Sequence, residues 1–306
     1  MTDLSIIIVS FNTEKLTREC IESVVKHTKG ISYEFLVMDN ISKDGSVNML
    51  KSLSKKLPLT LIENKDNIGF GPANNQGMKI AKGRYLLLLN SDTFVKDNTL
   101  GEMVKWMDEN PKVGLSSCAL KNIDGSLQGT GGYFPNLFRV FAWMFFIEDI
   151  PCLSKLIKPY HPMHPNSPFY KGEEFFKKSQ ERDWLTGAYL LFRREVFDDV
   201  GYFDKDYFMY VEEVDYAYRA KEKGWQVWFL PKWSITHYGG ASGTSEFATI
   251  SEFKSLKVFY SKHYPTWQTP FLRLFLGLGA FARMIMFGII KGANVFKIYA
   301  KAFRNA

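Results

Sequence analysis

The sequence predicts an α/β fold built on a doubly wound, mostly parallel, Rossmann-like sheet. Three observations carry that expectation. The runs "LSIIIVS" (4–10), "EFLVMD" (34–39), "LTLIE" (59–63) and "RYLLLLN" (84–90) are too continuously apolar for strands with one wet face. Segments with helical spacing separate them, at 13–28, at "SVNMLKSL" and at "GPANNQGMKIAK". Each run then ends in a polar loop, "SFN", "DNISKDGS", "NKDNIGFG" or "NSDT". In open α/β sheets the ligand sits beyond these strand ends.

A chain of 306 residues can bury one large core and carry an appendage. Its net charge of +7 suggests nucleic acid until its location is considered. Nine of the 39 Lys and Arg lie beyond Glu252, where no Asp or Glu follows, so the first 252 residues hold 30 basic against 32 acidic side chains. The basicity belongs to the tail, which argues against a nucleic-acid-binding body and for an acidic surface, most simply anionic lipid. Cys20, Cys118 and Cys152 form no C-x-x-C pair, so a disulfide framework or zinc knuckle is not expected and a reducing compartment fits. "MTDLSIIIVSFN" reads as a buried strand and not as a signal peptide.

Beyond residue 121 come a turn-rich stretch, an apolar segment "LFRVFAWMFFIEDI" too short to span a bilayer, and a Pro-rich stretch. His161 and His164, in "HPMHP", read as loop residues. Regular structure is expected again at "DWLTGAYLLFRREVF", in a helix from about Val211 to Lys223, in a strand "QVWFL" and in the loop "ITHYGGASG". On one helical wheel at about 100° per residue, Arg273, Arg283, Lys291, Lys297, Lys301 and Arg304 of the tail fall within an arc of about 140°, opposite Leu, Phe, Ile and Met. That pattern predicts helices lying in a membrane interface. A transmembrane span from Phe271 to Ile290 and a helix packed on the protein are the competing readings, and four glycines argue against one unbroken helix.

The loops also carry the chemistry. "SFNTEK" has no glycine, so neither a dinucleotide fingerprint nor a G-K-[ST] phosphate loop is present there. In "LLLLNSDT" an apolar strand delivers Asp92 to the sheet edge, where a carboxylate suits a hard divalent cation bridging a diphosphate; a helix cap is the simpler role. His237 in "THYGGAS" would complete a metal site, contact phosphate, or be structural. "YFMYVEEVDYAYR" (207–219) crowds Glu212, Glu213 and Asp215 together. Helical spacing lets Glu212 and Asp215 pair with Arg219, whereas Glu213 points about 100° away from Glu212 and lacks a cation in its own helix. It is the candidate base, against the plainer role of a solvated acid in the first helical turn.

In order, "SIIIVSFN", "VMDNISKDGS", "NIGFGPANNQG", "LLLLNSDT", "WLTGAYLLFRREVFDDVGYFDKDYFMYVEEVDYAYRAKEKGW" and "HYGGAS" resemble the inverting glycosyltransferases of family 2, which have a GT-A fold. The likeness covers about residues 4–243 and is greatest to a bacterial branch rich in rhamnosyltransferases. It implies a catalytic domain over 1–245, with a nucleotide-sugar half to about 100 and an acceptor half from about 101, and a basic tail over 246–306. It implies that Asp39 holds the pyrimidine, that Val9, Ser10 and Asn12 line the base and ribose pocket, and that Gly69, Asn75 and Ser91 complete the donor site. Asp92 and His237 would ligate Mg²⁺ or Mn²⁺, Glu213 would be the base, and Trp184, Thr186, Gly187 and Glu212 would face the acceptor. Two departures stand out: Asn90 replaces the first acid of the family's D-x-D, and Glu213 replaces its catalytic Asp.

The expected function is therefore metal-dependent, inverting sugar transfer from dTDP-rhamnose, or another dTDP- or UDP-sugar, to a lipid-linked or cell-surface glycan. The tail would hold the enzyme to the inner face of a bacterial membrane, with no nucleic-acid partner. A nucleotidyltransferase would need a basic residue near the first loop, and Lys15 lies too far into the helix. The non-enzymatic alternative is a membrane-bound glycan-binding scaffold.

Overall fold

The computed structural model describes residues 2–150, 153, 156–162, 173–239 and 245–306. Strands β1 (Leu4–Ser10), β2 (Tyr33–Asp39), β3 (Leu59–Glu63) and β4 (Tyr85–Leu89) run parallel in the spatial order 3-2-1-4. Helices α1 (Glu14–His27), α2 (Ser46–Ser54) and α3 (Phe70–Ile80) connect them. Alternate residues of each strand enter different cores. Ile6, Ile8, Phe35 and Val37 pack with Ile21 and Val24 of α1, while Ile7, Leu36 and Met38 pack with Ala73 and Met78 of α3. Burial on both faces is why these runs are apolar throughout.

The second half is β5 (Thr93–Phe94), α4 (Thr99–Glu109), β6 (Val113–Lys121), α5 (Leu137–Met144), β7 (Gln180–Glu181), β8 (Tyr189–Arg193), α6 (Arg194–Val200), α7 (Glu212–Glu222) and β9 (Gln226–His237). It departs from simple doubly wound topology. The sheet order is β3-β2-β1-β4-β8-β6-β9-β5, with β7 against β9, and β8 lies antiparallel between β4 and β6. A long excursion feeds β8, so no helical crossover dictates its direction. Its first four residues are buried, and such a run reveals no direction from its pattern.

Two segments read as loops or surface differ in the structure. His161 is anchored, its Nε2 2.5 Å from Glu252 Oε1 and its ring packed on Tyr160 and Trp184. His164 and Cys152 lie outside the described residues. The tail forms three helices, α8 (Ser245–His263), α9 (Gln268–Lys291) and α10 (Ala293–Arg304). The break between the last two falls at Gly292, whose φ of +89° is a backbone state that side chains other than glycine rarely adopt.

The single-wheel reading of the tail is therefore corrected. Arg283 faces inward, 2% exposed, and donates to the backbone oxygens of Met144 and Trp143 at 3.2 and 2.5 Å. Leu272, Leu276, Ala280 and Phe287 bury the same face of α9 in the core on the α3 side of the sheet. The opposite face is apolar and exposed at Phe271, Leu274, Leu278, Phe281, Ile285 and Ile289, spaced three or four apart. By length and composition α9 would cross a membrane. Packing on α5 occupies one side of it, leaving an apolar stripe on the other.

Candidate active site

A cavity of about 440 Å³ opens beyond the C-terminal ends of β1, β2 and β4. On one side of it, Val9 ends the apolar part of β1 and lines the wall, and Ser91, which accepts from Thr13 Oγ1 at 3.3 Å, lines the floor. Ser10 and Asp39 are buried just behind. Asp39 Oδ1 accepts from the Ser42 backbone at 2.8 Å, whereas Asp39 Oδ2 and Ser10 Oγ have no partner among the described residues. Buried polar atoms left open in this way cost stability and are free to meet a ligand that enters the cavity.

Asn12, at φ +54°, accepts from the Lys43 backbone at 2.7 Å and donates its own N–H to Ser42 Oγ at 2.9 Å, locking the first two loops together. Gly69 lines the cavity at φ +90°, and a Cβ there would lie 2.4 Å from Phe208 O. Asn75 sits apart from the cavity lining. Its amide donates to Phe203 O at 2.8 Å and accepts from Phe203 N at 2.9 Å, tying α3 to the segment that precedes α7.

Glu212 and Glu213 enter from the opposite wall at the start of α7. Tyr210 and Val211 precede them at φ +68° and +70°, and a β-branched residue held there costs on the order of 1–2 kcal/mol. Packing imposes this turn, and it aims two adjacent carboxylates into one space. Each leaves an Oε2 buried without a partner among the described residues. Burial pushes the Glu212 pKa well above the ordinary carboxylate value, and the charge of Glu213 adds to that. Burial likewise raises Glu213, to about 7, opposed by its own backbone N–H at the helix start and by His161. Glu213 keeps some solvent contact and a nearby imidazole, whereas Glu212 is 2% exposed, so Glu213 is the member of the pair that ionises first.

The expected sharing of Arg219 is corrected here. Asp215 alone pairs with it, at 2.8 Å, and also accepts from His263 Nε2 at 2.7 Å. Glu212 precedes Arg219 by seven positions, a rise of about 10.5 Å along the helix. Of the acceptor-side residues, Thr186 and Gly187 line the cavity, while Trp184 is buried behind them against Tyr160 and His161.

Asp92 and His237 face each other across the floor, with Asp92 Oδ1 3.3 Å from His237 Nε2. His237 Nδ1 lies 2.8 Å from Gln128 Oε1, and the Gln128 amide nitrogen donates to His237 O and Asn122 Oδ1. That network leaves Oε1 as the acceptor and places the ring hydrogen on Nδ1. The Nε2 lone pair then points toward Asp92 and Asn90 Nδ2, the latter 3.4 Å away. A carboxylate and a bare imidazole nitrogen converging in this way fit a hard or borderline divalent cation. The described lining includes Asp92, Glu212 and Glu213 but no Lys or Arg. No cluster of three His, Cys, Asp or Glu with metal-site geometry occurs among the described residues.

Sequence reasoning passed over Phe11, Asn40, Asn67, Met209 and Tyr210, which also line the cavity. Asn40 donates to Asn67 Oδ1 and Gly69 O, both at 3.2 Å, and accepts from Asn64 at 2.9 Å. The signal for Asn40 and Asn67 was available, because both stand in the polar loops after strands. Tyr210 gave none, since its orientation depends on a left-handed backbone.

Known proteins agree with this architecture. The chain is 24% identical over 249 residues to the N-acetylglucosaminyl-diphospho-decaprenol L-rhamnosyltransferase of Mycobacterium tuberculosis, covering 77% of each. It is 24% identical over 250 residues to the rhamnosyltransferase WbbL of Escherichia coli, covering 79% of this chain and 86% of that one. The fold matches the mannosyltransferase PcManGT of Pyrobaculum calidifontis, solved with GDP-Man and Mn²⁺, at a TM-score of 0.56 and 17% identity over 99% of this chain and 76% of that one. It also matches S. aureus TarS 1-349 in complex with UDP-GlcNAc, at 0.55 and 15% identity over 99% of this chain and 91% of that one. The sheet is that of a GT-A-like fold. The profile of glycosyl transferase family 2 spans residues 5–201, and the chain belongs to that family.

Proposed function

We propose that the protein is an inverting, metal-dependent glycosyltransferase whose donor is dTDP-rhamnose or a related dTDP- or UDP-sugar. The observation that carries this reading is the opposition of Glu212 and Glu213 to Asp92 and His237 across one cavity. Glu213 takes the proton of an acceptor hydroxyl as that oxygen bonds to the anomeric carbon. The bond from that carbon to the diphosphate oxygen breaks on the opposite face, its electron pair leaves with the nucleotide, and configuration inverts. Asp92 and His237 would hold the cation, Mg²⁺ or Mn²⁺, which when bound would supply positive charge against the departing diphosphate. Glu212, retaining its proton, donates a hydrogen bond to the acceptor and does not compete as a base.

On the donor side, Asp39 receives the pyrimidine N–H, Val9, Ser10 and Asn12 shape the base and ribose pocket, and Gly69 and Ser91 lie along the sugar diphosphate. Asn75 acts at a remove, by holding α3 to the Phe203 backbone. Thr186 and Gly187 contact the acceptor, with Trp184 supporting them from behind. The acceptor is a glycan on a lipid carrier. The apolar stripe of α9, with exposed Arg273, Lys291, Lys297 and Arg304 around it, rests on the inner face of an anionic membrane. A nucleotide-sugar screen with Mg²⁺ or Mn²⁺, followed by transfer assays on Glu213→Gln and Asp92→Ala, tests the reading. Loss of transfer in both variants supports it. Full transfer by both, or binding of glycans by a wild type that transfers from no donor, rejects it, the latter in favour of the scaffold.

A further inference from the structure

One peptide unit at the cavity rim is held from both sides. The carbonyl oxygen of Gly69 accepts from Asn40 Nδ2 at 3.2 Å, and the N–H of Phe70, in the same peptide, donates to Phe208 O at 3.0 Å. Asn40 stands directly after β2, and Phe208 belongs to the segment that leads into α7. A side chain at Gly69 would collide with Phe208 O, so the glycine is what lets the two backbones meet. From Phe208 the chain passes through the left-handed Tyr210 and Val211 into Glu212 and Glu213.

Behind that peptide runs a chain of side-chain amides. Asn64, just after β3, donates from Nδ2 to Asn40 Oδ1 at 2.9 Å, and Gln76 of α3 donates from Nε2 to Asn64 Oδ1 at 2.8 Å. The orientation of each amide follows from the backbone end. A carbonyl oxygen only accepts, so the Asn40 atom facing Gly69 O is nitrogen; its oxygen then faces Asn64, and the same alternation carries on to Gln76. All the donors therefore point toward Phe208, and amides aligned head to tail strengthen one another. Asn67 Oδ1 braces the same loop, accepting from Asn40 Nδ2 at 3.2 Å and from Gly69 N at 3.1 Å.

Asn40 lines the cavity yet is 2% exposed, and its amide nitrogen already makes two hydrogen bonds, the number its hydrogens allow. It is built to hold the wall and not to donate to a ligand. Neither Asn64 nor Gln76 is among the lining residues, so each acts only through Asn40.

We infer that Asn40, backed by Asn64 and Gln76, is a positioning residue that fixes, through the Gly69–Phe70 peptide, the segment delivering Glu212 and Glu213 to the cavity. The inference rests on the reading of Glu213 as the base. It ties the end of β2, beside Asp39, to the opposite wall, so one hydrogen-bonded chain sets the donor loop and the base together.

The test uses the full chain with Mn²⁺, the donor found by screening, and the nucleoside diphosphate of that donor as a binding probe. Asn64→Asp, ionised at assay pH, keeps the size and the acceptance from Gln76 but cannot donate to Asn40. It is expected to lower kcat at least about threefold while the diphosphate Kd stays within about twofold. Asn40→Asp is expected to lower kcat at least about tenfold, again at constant Kd. The double variant should match Asn40→Asp within about twofold, since a chain already cut loses little by a second cut. Losses that multiply, an unchanged kcat, or a Kd that weakens in step with kcat each overturn the inference, the last being what general loosening of the fold or a direct donor contact would give. Either single variant decides alone where the other does not fold. Glu213→Gln separates the two levels: full transfer by it removes the base reading and the inference with it, whereas an inactive Glu213→Gln beside an unaffected Asn64→Asp removes only the role of the amide chain.

Discussion

Asp92 Oδ1 lies 3.3 Å from His237 Nε2, and the backbone pairing of Thr93 with His237 in the β5–β9 ladder keeps them there. The tautomer needed for metal binding is set from outside, by Gln128. Gln128→Leu should therefore weaken the dependence of transfer on Mn²⁺ or Mg²⁺ by about 10- to 100-fold in half-saturating metal, with donor affinity at saturating metal unchanged. Metal titrations of initial rate check this, and an unchanged half-saturation point refutes it.

As the proposed base, Glu213 must be ionised to act, and burial raises its pKa to about 7. Activity should accordingly fall as pH drops through the neighbourhood of 7, with an acid limb well above that of a surface carboxylate. A kcat/KM profile in which the limb lies near 4.5 would remove Glu213 from the role.

The same burial has a stability consequence whose sign is fixed. Glu212 and Glu213 have folded-state pKa values raised above those of the unfolded chain, so the folded state binds more protons as pH rises from about 4.5. Their contribution is fully present below that pH and is lost as pH climbs through the raised values. Glu212→Gln should thus be more stable than wild type at pH 8, by on the order of 1 kcal/mol or more, with the gap closing toward pH 5. Denaturant unfolding at the two pH values is the measurement.

Arg283 is predicted to be structural. Arg283→Ala removes the buried side-chain donors to Met144 O and Trp143 O, costing on the order of 1–3 kcal/mol. Deleting the chain after Tyr264 should unfold the protein and not merely release it from lipid, because Leu272, Leu276 and Phe287 belong to the main core. A soluble, cooperatively melting truncation would contradict this.

Membrane attachment needs a variant that spares the fold. Ile285 and Ile289 are 46% and 80% exposed, so Ile285→Glu with Ile289→Glu should leave the melting temperature within a few degrees. Sedimentation with anionic vesicles should fall at least about tenfold. Co-sedimentation at the wild-type level would dismiss the stripe as the contact surface.

Much of the fold was legible because burial on both faces writes an unbroken apolar run. That is how β1 to β4 and the polar loops after them stood out. The direction of β8 was not legible, since a strand buried on both sides carries no mark of its orientation. Asp92 and His237 were found by position after strands, but Gln128, which fixes the tautomer, lies in a turn-rich stretch with no period. His161 does lie in a loop, but its anchoring was not legible, because its partner Glu252 is 91 positions away. The tail wheel failed at Arg283 because a wheel shows which residues share a face but not whether that face meets solvent or protein.

The left-handed turn at Tyr210 and Val211 bears on when the chain becomes competent during synthesis. Local preference opposes that turn, so nothing in the segment itself can form it early. A contact beside it closes only after a distant partner arrives: Ser255 Oγ of α8 donates to Met209 O, 46 positions earlier. Loop closures of that length come late in folding. A nascent or partly folded chain therefore has nothing to aim Glu212 and Glu213 into the cavity until α8 has docked.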